Sequence, residues 1–139
     1  MTVSEDVLQE LLSVDRIAVV GCSSTPGKAA HEIPAYLQRQ GYEIIPVNPF
    51  ADEILGEPTA GSLQEVESTI DLVNVFRPSE ELEEIVDSVI ARKNSQGDSE
   101  SLWLQLGIQD AEAETRAEDA GITVVSDRCM KIEHQRLHS

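Results

Sequence analysis

Apolar residues recur along this chain in two alternating registers. Val7, Leu8, Leu11 and Leu12 fall at helical spacing, and residues 2–5, Thr-Val-Ser-Glu, fit a capping box ahead of them. Ile17–Val20 is a short continuous apolar run, as in a strand buried on both faces. Ala29 to Gln40 reads as a helix that stops at Gly41, with Pro34 as an awkward residue that either marks a distinct first turn or kinks it. Glu43–Val47 is a second strand, closed by Asn48-Pro49. Ser62 and Glu65 offer a capping box to a short helix near 63–67. Asp71–Phe76 is a third strand, and Pro78 suits the first turn of the helix after it. Leu82, Ile85, Val86, Val89 and Ile90 place an apolar stripe on that helix. Residues 94–101, NSQGDSES, read as an exposed and mobile loop. Leu102–Leu106 is a fourth strand, Gln109–Ala120 a helix ended by Gly121, and Ile122–Val125 a fifth strand. The tail from Asp127 is expected to form a short helix or turn against the sheet edge.

This alternation predicts an α/β fold: a Rossmann-like, five-stranded parallel sheet with helices on both faces. The expected strand order is 3-2-1-4-5. The length of 139 residues fits a single domain, 1–139. No internal repeat or linker is visible.

In open α/β sheets a ligand lies beyond the carboxyl ends of the strands, where the strand order reverses. The first strand ends in Gly21-Cys22-Ser23-Ser24-Thr25-Pro26-Gly27-Lys28. Glycines let backbone approach a ligand, and free amides at a helix start favour a phosphate. The three hydroxyls add donors and Lys28 adds a point charge. The stretch is not a P-loop, because Ala29 follows Gly27-Lys28. It also departs from G-x-G-x-x-G, because Ser23 stands in place of the second glycine. A plain turn from strand to helix is the competing reading.

At the second strand end a NAD site carries a carboxylate for the ribose hydroxyls. Asn48 stands there instead, which suits a ribose bearing an extra phosphate: NADP or coenzyme A rather than NAD. Asp52 and Glu53 lie close by, and a simple Asn48-Pro49 turn is the alternative. Arg77, just after the third strand, calls for an anion or for an ion pair with Glu80 or Glu81.

Acidic residues outnumber basic ones 26 to 10, a formal net charge of −16, and only three of the ten are lysine. Such a chain is a poor general binder of nucleic acid, which needs cations to displace counterions. The charge fits a solvated surface adapted to high salt, where screening relieves self-repulsion, or an acidic docking face for a basic partner. The first reading predicts a loss of stability at low salt. No apolar run reaches the length of a membrane span, no secretory signal is visible, and two cysteines make no disulfide framework. A cytoplasmic protein is expected.

Taken together, Val20-Gly21-Cys22-Ser23-Ser24 with Lys28, Gly41-Tyr42 before Val47-Asn48-Pro49, Val75-Phe76-Arg77-Pro78, Trp103-Leu104-Gln105-Leu106-Gly107, and Asp127-Arg128-Cys129 with Glu133 and Arg136-Leu137 resemble the small stand-alone CoA-binding proteins. These are similar in turn to the CoA-binding domain of the succinyl-CoA synthetase α chain. The resemblance implies coenzyme A held in an extended crevice. It implies Ser24 to Gly27 at the diphosphate, Asn48 and Pro49 at the adenosine end, Phe76 and Arg77 along the wall, and Leu104, Gln105 and Leu106 near the pantetheine. The synthetase has a lysine after its second-strand motif, where this chain reads Phe50-Ala51-Asp52. Lys28 or Arg77 would have to meet the 3′-phosphate instead. The motifs include no phosphohistidine-bearing domain, so a small-molecule binder without catalysis is expected. The alternative is a small NADP-dependent or nucleotide-sugar-modifying enzyme.

Three further residues attract attention. Cys129 lies beside Arg128 and Lys131, cations of the kind that activate a thiol. With His134 and His138 it offers three metal ligands, one fewer than a structural zinc site needs. Trp103, the single tryptophan, reads as core.

Overall fold

The computed structural model describes residues 4–138, with side chains through 137. Helix α1 (Glu5–Leu12) leads into strand β1 (Arg16–Val20), helix α2 (Ala29–Arg39) and strand β2 (Glu43–Val47). A minimal hairpin, β3 (Glu53–Ile54) and β4 (Glu57–Pro58), and a 3-10 turn at Leu63–Glu65 precede β5 (Leu72–Val75). Then come α3 (Leu82–Gln96), β6 (Ser101–Leu104), α4 (Ala111–Asp119), β7 (Thr123–Val125) and α5 (Met130–His138).

The fold class is the expected one: five parallel strands form a single sheet. Their order is β2-β1-β5-β6-β7. The third strand of the sheet therefore pairs with the first, not with the second as 3-2-1-4-5 required. The reason lies at the outer edge of β2, where the returning chain occupies its hydrogen-bonding groups. Ala60 donates to Pro46 O and accepts from Asn48 N, both at 2.9 Å. β5 takes the open side of β1 instead, Ile17 to Val20 against Leu72 to Val75. The order now reverses between β1 and β5, and so does the side on which helices cross.

Alternation along the strands sends side chains to two cores. Ile17, Val19, Leu72 and Trp103 meet Leu8, Leu11, Leu37 and Met130 from α1, α2 and α5. Ala18, Val73, Val75, Leu102 and Leu104 meet Leu82, Val86, Val89, Ala113 and Ala117 from α3 and α4. Burial on both faces explains why β1 carries no polar residue between Ile17 and Val20.

Several local expectations are corrected. Ser4, not Thr2, caps α1, accepting from Val7 N at 3.3 Å, and Thr2 lies outside the described residues. Ser62 makes no side-chain cap, and the 63–67 helix is only a 3-10 turn. Helix α2 runs through Pro34. Proline has no N–H for the carbonyl of Ala30, and the amide of Ser23 takes that carbonyl at 3.0 Å. The loop after β1 is thus fastened to the helix by the bond Pro34 leaves open.

Residues 94–101 are not one exposed loop: the stretch starts in α3, ends in β6 and buries Ser99. Helix α3 continues to Gln96 and ends on left-handed Gly97, φ 74°, whose amide reaches Lys93 O. Asp98 then forms a bidentate pair with buried Arg92, 3.0 and 2.9 Å, and accepts from Ile70 N. Arg92 also donates to the carbonyls of Leu63, Val66 and Ser68. One guanidinium thereby gathers the irregular 63–70 segment onto α3. The fourth strand stops at Leu104, so Gln105 and Leu106 belong to the turn beyond it. The tail is helical and packs across α1 and α2, with Tyr36 Oη 2.7 Å from His134 Nδ1.

Candidate functional site

The carboxyl ends of β1, β2 and β5 surround an open crevice of about 650 Å³. It lies at the reversal of strand order, where this architecture binds ligands. Gly21, Cys22, Ser23, Ser24 and Lys28 line it from the first loop, Asn48 and Pro49 from the second, Phe76 and Arg77 from the third.

The first loop is held largely by its own bonds. Gly21 donates to Val47 O, Ser23 to Ala30 O, Thr25 to Ser23 Oγ and Gly27 to Glu32 Oε2. The expected row of free amides is therefore mostly committed, and Thr25 and Gly27 lie outside the crevice lining. The amides of Ser24 and Ala30 have no protein acceptor among the described residues. Ala30 is in the first turn of α2, where the helix dipole favours an anion. Lys28 is exposed and has no ion-pair partner among the described residues.

Gly21 has φ +85°, a left-handed conformation, and its missing side chain makes room for a neighbour. A Cβ there would come within 2.7 Å of Arg77 Cδ. Arg77 forks onto Glu81, 3.1 Å from Nε and 2.7 Å from Nη2. The hydrogen bonds from Arg77 hold the Glu81 carboxyl below its ordinary range. Of the two partners considered for Arg77, Glu81 is the one used.

Asn48 is spent on the protein. Its Nδ2 donates to Cys22 O at 3.0 Å, and its Oδ1 accepts from Phe50 N at 2.7 Å. The first bond braces the two loops against each other, and the second stiffens the turn after β2. Its neutral amide is needed for that brace, which is a sufficient reason for the absence of a carboxylate.

The far strand ends stand apart. Leu104 is fully buried in the core, and Gln105 is buried with its Oε1 accepting from Met130 N. Leu106 is exposed beyond the turn. None of the three lines the crevice. The crevice extends instead toward Leu63, Ile85 and Ser88, with Phe50 on its rim. Phe50 is 95 % exposed, and its position directly after Asn48-Pro49 was the available signal. Ile85 gave none, since a helical stripe reads as core, and Ser88 gave none as a lone hydroxyl on the same helix.

Cys22 is buried, and burial pushes its thiol up to about 12. His31 pairs with Glu32 at 3.0 Å, and the His31 bond, then the Gly27 amide, holds that carboxyl below its ordinary range. Among the described residues no cluster of His, Cys, Asp and Glu could hold a metal ion, and no helix is long and apolar enough to cross a membrane.

Among the described residues the lining carries Lys28 and Arg77 against the single carboxylate of Glu81. In a chain of net charge −16 this is a local excess of positive charge.

Comparison with known proteins gives this geometry a context. The chain is 41 % identical over 119 residues to the uncharacterized protein YneT of Bacillus subtilis (strain 168), covering 86 % of this chain and 84 % of that one. It superposes on the solved Thermus thermophilus protein cell-free ID.343 with a TM-score of 0.89 and 38 % identity, covering 97 % and 99 % of the two chains. Over 63 residues, 45 % of this chain, it is 36 % identical to the acetate–CoA ligase (ADP-forming) of Methanocaldococcus jannaschii, of which it spans 9 %. The CoA binding domain family matches residues 15–135, and the chain belongs to that family.

Proposed function

We propose that this protein binds coenzyme A or an acyl-CoA in the crevice at the β1/β5 reversal, and catalyses no reaction of its own. The observation that carries the reading is the locally cationic crevice at the switch point of an otherwise strongly acidic chain of the CoA binding domain family. The partial match to an acetate–CoA ligase supports the same ligand class.

In this reading Lys28, with the free amides of Ser24 and Ala30, receives the diphosphate. Pro49 and Phe50 form the wall for the adenosine end, on a turn stiffened by Asn48. The pantetheine arm follows Leu63, Ile85 and Ser88, because Leu104, Gln105 and Leu106 lie outside the lining. Among the described residues no paired acid and base faces the crevice, which favours holding over turnover.

Calorimetric titration with CoA, NADP and NAD in high salt is the test. Tight CoA binding with weak NADP binding is expected. Silence from CoA overturns the reading, and turnover of a reduced nicotinamide replaces it with the enzyme reading. Native mass spectrometry of protein taken from cells would identify a retained acyl group by its mass.

A further inference from the structure

Among the described residues Glu81 is the one carboxylate in the crevice lining, and it occupies the fork of Arg77. A guanidinium fork fits a carboxylate and a phosphate in the same bidentate way. The two side chains are 47 % and 42 % exposed, so water and solutes reach the pair. The stem of Arg77 lies over Gly21, where a Cβ would collide with it, so the pair spans from the first loop to the start of α3. Glu81 is the residue before α3, yet its side chain makes no capping bond to that helix. Its carboxylate therefore makes no hydrogen bond to the helix end, where it has only the dipole's through-space attraction, and its only bonded partner among the described groups is Arg77.

We propose that Glu81 is an internal surrogate for a ligand phosphate: it holds Arg77 in place in the empty crevice, and an incoming polyphosphate takes Arg77 from it. Glu81 thus sets which anions enter. A singly charged solute gains too little from Arg77 to displace a tethered carboxylate. A ligand already anchored by its diphosphate at Lys28 presents a second phosphate at high local concentration and wins the exchange. The lost ion pair is offset by the new one, so Arg77 contributes selectivity for multiple phosphates more than raw affinity. This rests on the coenzyme A reading for the natural ligand, but the exchange itself concerns any polyphosphate.

The test uses the whole chain, with CoA and inorganic pyrophosphate as separate probes. Two measurements are made: affinity by calorimetry, and the Arg77 Nε–Hε resonance by nitrogen-15 NMR. CoA is expected to shift the Arg77 resonance in the wild type. Glu81→Gln, which keeps the side-chain size, should bind CoA about two- to fivefold more tightly, the scale of a part-exposed ion pair. Its preference for CoA over inorganic phosphate, titrated as a singly anchored control, should narrow, and adding Arg77→Ala should erase the gain. If CoA binds with the Arg77 resonance unmoved and Glu81→Gln gains nothing, the exchange is wrong while the coenzyme A reading stands. If CoA does not bind but pyrophosphate moves Arg77, the exchange stands and the ligand reading falls. If neither probe moves Arg77, the exchange is overturned.

Discussion

The side-chain amide of Asn48 donates to the backbone carbonyl of Cys22 at 3.0 Å, joining the loops that follow β1 and β2. The same side chain accepts from Phe50 N, so one residue sets the spacing of two crevice walls. Asn48→Asp replaces the donor with an oxygen facing another oxygen. It should destabilise the fold by about 1 kcal/mol, the scale of one lost hydrogen bond at a half-buried site. Urea unfolding checks the stability, and a parallel CoA titration should show weaker binding.

Lys28 is expected to act on the ligand and not on the fold. It makes no bond from its ammonium to any described residue, so Lys28→Ala should leave the unfolding midpoint unchanged. CoA affinity should fall roughly tenfold or more, with a shallower dependence on salt. Unchanged affinity would remove Lys28 from the site.

Gly21→Ala should be damaging on two grounds. Its φ of +85° disfavours a side chain, and the new Cβ would sit 2.7 Å from Arg77 Cδ. Together these should lower stability by about 1–3 kcal/mol. Adding Arg77→Ala relieves the contact but not the backbone strain, so the double variant should recover only part of the loss.

The Arg92–Asp98 pair predicts an acid limb. Burial alone would raise the Asp98 carboxyl, but hydrogen bonds from Arg92 and Ile70 N outweigh it and leave it below its ordinary 3.8. A lowered folded value means the unfolded chain binds the proton first as pH falls. Its stabilisation is therefore full above the ordinary value and is lost as pH drops through the folded one. Asp98→Asn should flatten that limb in a pH series of denaturation midpoints. Arg92→Ala strands a buried carboxylate and should destabilise by about 3–5 kcal/mol.

The two cysteines should differ in reactivity. Cys22 is 1 % exposed and its thiol is pushed up to about 12, so it is neither accessible nor ionised at neutral pH. Cys129 is partly exposed. Alkylation at pH 7.5 followed by peptide mass mapping should mark Cys129 alone until the chain is unfolded.

The parts of this molecule that were legible in the sequence are those written by neighbours in the chain. The run Ile17–Val20 and the stripe Leu82 to Ile90 announce their elements through periodicity, which the backbone imposes within a few residues. The first loop could be placed for the same reason: an apolar strand, a cluster of small residues, then a helix. The motif resemblance was readable because it is itself an ordered string of short local patterns.

Pairing across the chain decided the rest. Whether β5 sits beside β2 or β1 depends on Ala60 bonding to Pro46 O and Asn48 N, contacts that no local pattern encodes. That order moved the reversal to β1/β5 and with it the floor of the crevice. Asn48, which lines the crevice, is also a brace because Cys22 O, 26 residues away in sequence, lies within reach of its amide. In the sequence Arg92 is one more polar residue on a helix; in the fold, Asp98 and three carbonyls of the 63–70 segment converge on its guanidinium. Side-chain type states which bonds a residue can make, but only the folded distances state which of those bonds it makes.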